Sequence, residues 1–249
     1  MKNTKNTDTP VSDIKVGITF KSWAEANNIS CDYHITTEST NDLAKDDAFN
    51  GLNPIQLYVA EEQTQGRGRG DHTWNSPPAG TSLLSSWSFE SKVTPTPYIT
   101  SLIGLGLYNA ARATWPFLDW HLKAPNDLYI GSKKIAGLLV ETVTQGSLHR
   151  IIIGLGFNVF SQPNLPIATH LLSELNKLTN EDEDHYPLMG EDFIRFLDRV
   201  LFEICLIIPE ANQEPHFTIR EALLHVFNQN PKLESKYTSF EDLKEDLWR

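Results

Sequence analysis

Apolar and polar residues alternate along several short stretches of this chain, and many of the apolar positions are β-branched. Such alternation is typical of strands that bury one face. Strands are therefore predicted in the stretches CDYHITT, PIQLYVAEE, TSLLSSWSF and HRIIIGLGFNVF. The region 119–143 is predicted to form three more strands, separated by a turn at PND and a tight turn at Gly131.

Elsewhere in the chain, apolar residues recur every three to four positions, which predicts helices. Residues 97–115 carry a broad apolar face, residues 190–208 form a long amphipathic pattern, and a shorter one follows at 217–227. A short helix is expected to begin at the Ser-Thr-Asn sequence at 39–41, because all three residues can cap a helix start. Strict βαβ alternation is missing. The pattern predicts an α+β fold in which a mixed, mainly antiparallel sheet packs against helices.

The composition is that of an ordinary soluble globular protein, with 249 residues, 40% of them hydrophobic and 21% charged. We expect a polar, disordered tail at residues 1–12, one domain at 13–210, and a helical, acidic extension at 211–249. The net charge of −11 disfavours nonspecific binding to DNA or to an anionic membrane. The two cysteines are too few for a disulfide framework, and Cys205 lies in an apolar run that predicts a core position.

Targeting signals are not apparent in the sequence. The N-terminus lacks the apolar core of a secretory signal, and no apolar segment reaches the roughly 18 residues of a membrane span. These features predict a cytoplasmic protein without DNA or a membrane as partner.

The most unusual segment is EEQTQGRGRGDHTWNSPPAG, residues 61–80. Glycine lets backbone N–H groups approach a ligand closely, and arginine is a forked, permanently charged donor for phosphate or carboxylate. The spacing does not fit a P-loop, because the Lys-Ser/Thr pair is absent. The segment predicts an anion site, and a flexible loop that binds RNA loosely is the alternative for these letters alone.

Two further segments carry candidate chemistry. In KAPNDLYIGSKKIAG, residues 123–137, lysines flank a turn and could neutralise phosphate during group transfer, although a plain β-turn with solvated lysines fits equally well. In IGLGFNV, Gly154 and Gly156 lack the third glycine and the following helix of a dinucleotide fingerprint, and glycines that ease close strand packing are the competing interpretation. The eight histidines show no metal-ligand spacing.

Taken together and in this order, the segments resemble the motifs of the biotin–protein ligases. The matching letters are STN at 39–41, EQTQGRGRGDHTWNSP at 62–77, LKAPNDLYI at 122–130, KKIAGLLVE at 133–141 and GLGFNV at 154–159. The resemblance extends over about residues 33–208 and is to the monofunctional type, which lacks a DNA-binding domain.

The resemblance implies a two-step reaction. Biotin and ATP, with Mg²⁺, would form biotinyl-5′-adenylate and pyrophosphate, and the biotinyl group would then pass to a lysine of a biotin carboxyl carrier protein, such as a subunit of acetyl-CoA carboxylase. Residues 13–210 would be the catalytic domain, no DNA would be bound, and a homodimer is a candidate assembly.

The family motifs also imply roles for individual residues. Lys134 and Arg69 would be catalytic, because they stabilise the negative charge of the reacting carboxylate and phosphate. The residues that would bind biotin are Ser39, Thr40, Asn41, Gln63, Arg67, Gly68, Arg69, Lys134 and Gly137. The residues that would bind ATP or the adenylate are Arg67, Arg69, Trp74, Lys123, Asn126, Asp127 and Asn158. Asp127 is the candidate ligand of a Mg²⁺ ion bound with ATP.

Three features depart from the family pattern. The letters Gly70-Asp71-His72 stand where further arginine is usual, Ala124 replaces a tryptophan, and residues 211–249 show helical periodicity in place of a small β domain. Two other functions therefore stay open. One is a non-catalytic homologue that binds biotin or its adenylate. The other is an acyl ligase for lipoate or octanoate, although those relatives generally carry an Arg-Arg-x-Ser-Gly-Gly-Gly type of loop.

Overall fold

Seven strands form one sheet in the computed structural model, which describes residues 15–51, 53–179 and 190–248. The strands are β1 (Ser30–Thr37), β2 (Ile55–Gln63), β3 (Ser82–Ser91), β4 (Trp120–Lys123), β5 (Asp127–Ile130), β6 (Lys133–Gln145) and β7 (Leu148–Asn158). Their order across the sheet is β1-β2-β3-β7-β6-β5-β4. β1 and β2 are parallel, and every other neighbouring pair is antiparallel. The predicted mixed, mainly antiparallel sheet is confirmed.

The described residues form seven α-helices. They are α1 (Val16–Ala26), α2 (Thr40–Asp46), α3 (Ile99–Thr114), α4 (Leu171–Thr179), α5 (Glu191–Ile207), α6 (Phe217–Phe227) and α7 (Phe240–Trp248). The pattern analysis identified five of them and missed α1 and α4. α1 begins at Val16, its N-cap residue Lys15 makes no side-chain cap bond, and its first turns carry β-branched residues, so local sequence signals for a helix are weak there.

A single large hydrophobic cluster joins the sheet to the helices. α3 and α5 pack against each other, and the Phe196 ring of α5 contacts Phe157 of β7. Trp87 of β3, Ile103 of α3 and Phe196 of α5 are fully buried in this cluster. Leu223 and Leu243, from α6 and α7, belong to the same cluster. Residues beyond 210 thus pack onto the sheet's core, and the domain boundary at that position stays a prediction. The tail predicted at 1–12 lies outside the described residues.

The prediction of a core position for Cys205 is wrong. Its side chain is exposed on α5, beside Phe202 and Leu206, which are 51% and 57% exposed. In an amphipathic helix an apolar run continues onto the outer face, so the run alone does not identify the buried side. No described helix combines the length and the apolar character needed to cross a bilayer.

A buried carboxylate anchors α1 next to the glycine-rich segment. Glu61, near the end of β2, is 2% exposed and accepts hydrogen bonds from the backbone N–H groups of Gly17 and Ile18, at 3.2 and 3.1 Å. Its carboxylate also accepts the Tyr33 hydroxyl at 3.0 Å. A negative charge at a helix N-terminus is stabilising, so Glu61 fixes α1 on the strand that leads into the glycine-rich segment.

Candidate active site

A cavity of about 790 Å³ opens where β2 ends and the β4–β5 turn and β6 begin. All residues to which the sequence motifs assign a role line this cavity, although they come from all five motifs: Ser39, Thr40, Asn41, Gln63, Arg67, Gly68, Arg69, Trp74, Lys123, Asn126, Asp127, Lys134, Gly137 and Asn158. Their roles stay predictions, but the sheet brings them together.

The glycine-rich segment is a small hairpin. The N–H of Trp74 donates to the carbonyl of Gly66 at 2.9 Å, and the N–H of Gly68 donates to the carbonyl of His72 at 2.7 Å. Gly70, at the tip, has a positive φ of 57°, which favours glycine. We call residues 66–74 the loop hairpin. The backbone N–H groups of Arg67 and Arg69 have no acceptor within the described ranges.

The first arm of the loop hairpin is tied down by ion pairs. The Arg67 guanidinium donates to Asp42 of α2 at 2.7 Å and to Glu141 of β6 at 2.9 Å. Lys45 lies 2.9 Å from Asp42 and 3.2 Å from Glu141. Burial disfavours the charged Glu141, yet hydrogen bonds from Asn41, Arg67 and Lys45 outweigh it and hold the pKa of the Glu141 carboxyl below its ordinary value. The carboxylate therefore stays ionised at neutral pH.

Hydrogen bonds also organise the start of α2. Ser39 occupies the N-cap position, but its side chain makes no cap bond, and the side-chain oxygen Oε1 of Gln63 instead accepts the Thr40 N–H at 2.7 Å. Ser86 of β3 donates to the Thr40 hydroxyl at 2.8 Å and also contacts the Asn41 side-chain oxygen. The capping predicted at 39–41 thus comes from Gln63, a residue distant in sequence.

The two glycines of β7 provide space for side chains of other motifs. A Cβ at Gly154 would overlap the Asn41 side chain, and a Cβ at Gly156 would lie 2.5 Å from the indole ring of Trp74. Both positions lie inside the sheet, between β3 and β6. The close approach that these glycines permit is therefore to Asn41 and Trp74 rather than between strands.

The lysine of the KKIAG motif lies beside a carboxylate and an aromatic ring. Lys134 Nζ is 2.7 Å from Asp127 Oδ1 and 5.7 Å from the centre of the Trp74 ring. A side chain at Gly137 would crowd Lys134 Nζ at 3.2 Å, so glycine there leaves the ammonium room. Arg69 and Lys123 have no carboxylate partner in the part of the chain that the structure describes.

Polar groups facing the cavity remain available at other positions. The Asn126 amide donates to the Leu138 carbonyl and closes the β4–β5 turn. Asn158 donates to the Thr169 carbonyl at 3.0 Å, while its side-chain oxygen and the Trp74 indole N–H are buried without a partner among the described residues. Buried polar atoms are rarely left unsatisfied, so these two could complete their hydrogen bonds with a ligand.

Sequence reasoning missed two groups at this site. Asp42 and Glu141 neutralise Arg67, and Glu141 was recognisable as a charge inside the apolar run GLLVETV. Pro163, Leu165 and Ile167 form an apolar wall of the cavity, in a connecting segment whose pattern predicts no element. The backbone of this wall is fixed by a bond from the Lys134 N–H to the Ile167 carbonyl at 2.7 Å.

The cavity's carboxylates are compatible with a nucleotide-bound cation. No group of three or more His, Cys, Asp or Glu side chains suited to a metal is found in 15–51, 53–179 or 190–248. Mg²⁺ usually takes one or two carboxylates and completes its shell with water and substrate phosphates. Asp127, which lines the cavity and pairs with Lys134 through one oxygen only, fits that requirement.

The known proteins that this chain resembles include several named biotin–protein ligases. The human protein named biotin–protein ligase is 33% identical over 127 residues, which is 49% of this chain and 18% of that protein. The chain thus covers well under two thirds of this relative's length. The solved biotin protein ligase from Aquifex aeolicus, in complex with biotin and ATP, matches with a TM-score of 0.52 and 25% identity over 72% of each chain.

Another solved structure that is similar in fold is a biotin protein ligase from Leishmania major, in complex with biotinyl-5-AMP. It gives a TM-score of 0.60 over 84% of this chain and 86% of that one, at 22% identity. The model of the biotin/lipoate A/B protein ligase family matches residues 33–158, which is half of the chain. The matched span contains every residue assigned to the cavity by the sequence motifs, and the chain therefore belongs to the biotin/lipoate A/B protein ligase family.

Proposed function

We propose that this protein is an ATP-dependent biotin–protein ligase. In the first step a biotin carboxylate oxygen attacks the α-phosphorus of ATP, the bond to the β-phosphate breaks, and pyrophosphate leaves. In the second step a lysine amine of a biotin carboxyl carrier protein attacks the acyl carbon of the adenylate, AMP leaves, and the amine loses a proton. The family membership and the relatives' names support this proposal.

The observation that carries the choice of biotin is the polar inner end of the cavity. Ser39, Thr40 and Asn41 are between 2% and 3% exposed, and Gln63 lies against them. A ureido ring offers two N–H donors and a carbonyl acceptor, so it can satisfy such groups. A lipoyl or octanoyl chain offers none and would desolvate those of the groups that have no partner within the protein.

Two groups at this end are available for that role. The Ser39 hydroxyl and the Gln63 amide nitrogen make no hydrogen bond within the described residues, whereas Thr40 and Asn41 are already held by neighbouring side chains. We assign direct contacts with the ring to Ser39 and Gln63. Thr40 and Asn41 shape the surface against which the ring packs.

The cationic groups of the cavity suit adenylation, in which a carboxylate and a polyphosphate, two anions that repel each other, must come together. Lys134 and Arg69 supply cations, and the unpaired backbone N–H groups of Arg67 and Arg69 supply fixed dipoles. Gly68, between them, keeps this backbone free of a side chain. Donors that are already in place when charge develops provide much of the rate acceleration in such reactions.

The nucleotide is assigned to the opposite side of the cavity. Trp74, Asn158 and the wall formed by Pro163, Leu165 and Ile167 offer aromatic, hydrogen-bonding and apolar surface for a purine. Lys123, Asn126 and Asp127 line the same side, where the polyphosphate and its Mg²⁺ would lie. Gly137 leaves room for Lys134 to reach between carboxylate and phosphate.

The proposal is tested by incubating the purified protein with ATP, Mg²⁺ and one acid at a time: biotin, lipoate or octanoate. We expect pyrophosphate release that depends on biotin, and biotinylation of an added carrier protein. Faster pyrophosphate release with lipoate or octanoate than with biotin would show that the protein is a ligase for that acid instead. Binding of biotin by calorimetry without any pyrophosphate release would identify a non-catalytic binding protein.

A further inference from the structure

Glu141 connects three parts of the cavity wall that are far apart in sequence. Its carboxylate, on β6, accepts from Asn41 Nδ2 of α2 at 2.8 Å and from Lys45 Nζ at 3.2 Å. It also accepts two bonds from Arg67 of the loop hairpin, at 3.2 Å from Nη1 and 2.9 Å from Nη2. Two parallel bonds from one guanidinium fix its orientation as well as its position.

The four charged side chains that meet around Glu141 have no net charge. Asp42 and Glu141 contribute two negative charges, and Lys45 and Arg67 contribute two positive ones. Burial disfavours the Arg67 cation, but its bonds with Glu141 and Asp42 outweigh this and raise its pKa. The Arg67 side chain therefore brings no net positive charge to an anionic ligand. Arg69, two residues on, is the loop arginine with no carboxylate partner among the described residues.

We propose that Glu141 is a positioning residue of the ligase, which clamps the first arm of the loop hairpin through Arg67 and aligns Asn41 at the inner end of the cavity. The inference rests on the proposed function. Arg67 is then the fixed point about which the tip at 69–72 moves, and Arg69 is the guanidinium that meets the substrate anions.

The physical reason is the asymmetry of a partly buried ion pair. Removing one member leaves the other charge desolvated without its partner, which costs much more than the intact pair contributes. Movement of the Arg67 arm would break the pairs with both Asp42 and Glu141, whereas movement of the tip breaks no ion pair of the described residues. The clamp thus restricts motion to the tip.

The test uses Glu141→Gln, Arg67→Met and the double variant, with Glu62→Gln as the matched control. Glu62 is an exposed carboxylate on β2 that contacts Thr36 at 3.5 Å and lies outside the cavity lining. The first measurement is limited trypsin digestion of the ligand-free protein, with the cuts after Arg67 and Arg69 quantified separately by mass spectrometry. The second is the KM for biotin and the kcat of pyrophosphate release.

We expect Glu141→Gln to raise the cleavage rate after Arg67 by about tenfold, since charged hydrogen bonds no longer oppose local opening. We expect a similar rise in the KM for biotin, of about tenfold, with kcat nearly unchanged, because Asn41 and the first arm affect binding. Arg67→Met should raise the KM equally, and the double variant should be no worse than either single one. Glu62→Gln should match the wild type.

Cleavage and KM equal to those of the wild type in Glu141→Gln would overturn the proposal, as would KM effects that multiply in the double variant. If Glu141→Gln no longer unfolds cooperatively on heating, the Arg67→Met variant is used instead. Its KM for biotin and its cleavage rate after Arg69 are then measured, and values equal to those of the wild type would overturn the proposal. Trypsin digestion needs no substrate. A wild-type protein without pyrophosphate release would therefore contradict the proposed function, while the cleavage pattern still decides whether the clamp exists.

Discussion

At the scale of single residues, the cations in and beside the cavity are of two kinds. Arg67 and Lys45 are neutralised by Asp42 and Glu141, whereas Arg69 and Lys123 have no carboxylate partner among the described residues. Lys134 is intermediate, because Asp127 holds it at 2.7 Å. A Mg²⁺ ion that Asp127 would hold, or a phosphate that competes for the Lys134 ammonium, would release Lys134 toward the reacting groups. This makes Lys134 the residue whose charge we expect to matter most during adenylation.

Replacing Lys134 with alanine tests this expectation. We expect the rate of biotin-dependent pyrophosphate release to fall by about 10²- to 10³-fold, as it does when one preorganised donor to a transition state is lost. The matched control is Lys133→Ala, which removes the same charge from the adjacent, exposed position of β6. Equal rates for the two variants, measured with saturating biotin and ATP, would remove Lys134 from the proposed mechanism.

The residues that gather in the cavity could be predicted from the sequence, but their contacts could not. The residue types of the glycine-rich segment indicate anion binding, and the resemblance of STN, KAPND and KKIAG to the motifs of biotin–protein ligases implied the other roles. The pairing of Arg67 with Glu141 depends on the register of β6 and on the course of the loop hairpin. Both are set by tertiary packing, so the sequence pattern suggested a free arginine where the structure has a clamped one.

At the scale of secondary-structure elements, β7 determines where two motif side chains lie. Gly154 accommodates Asn41 from α2, and Gly156 accommodates the Trp74 ring from the loop hairpin. The GxG pair therefore belongs to the site although it offers no side chain to a ligand. Periodicity predicted the strand correctly. It could not show which side chains pack against the two glycines, because Asn41 and Trp74 belong to segments more than eighty residues away in the sequence.

Gly156→Ala is the corresponding prediction at this scale. The added Cβ would lie 2.5 Å from the Trp74 ring, and the ring, carried on a loop, is expected to move out. We expect the KM for ATP to rise about tenfold, because the indole no longer covers the nucleotide. The free energy of unfolding, measured in urea, should change by less than about 1 kcal/mol. Gly51→Ala is the control, since a Cβ there meets nothing within 4 Å. A KM for ATP equal to that of the control would show that Trp74 does not cover the nucleotide.

At the scale of the whole molecule, an acidic protein carries a locally cationic cavity. The net charge of −11 repels free polyanions at long range, so substrate anions must be bound by short-range contacts inside the cavity. The α+β fold was predictable because its strands alternate clearly and most of its helices are strongly amphipathic. α1 was not, since it has no side-chain cap and its stability comes from burial of residues such as Phe20. The pattern of α4, in which Leu171, Leu175 and Leu178 recur at helical spacing, was present in the sequence and was overlooked.

The central claim is that the cavity forms and holds an adenylate of biotin. Native mass spectrometry of the full chain after incubation with ATP, Mg²⁺ and biotin, followed by removal of free ligand, measures this directly. The account predicts a complex whose added mass is that of biotinyl-5′-adenylate, and its absence when lipoate replaces biotin. A protein that retains biotin or ATP alone, or neither, under the same conditions would contradict it.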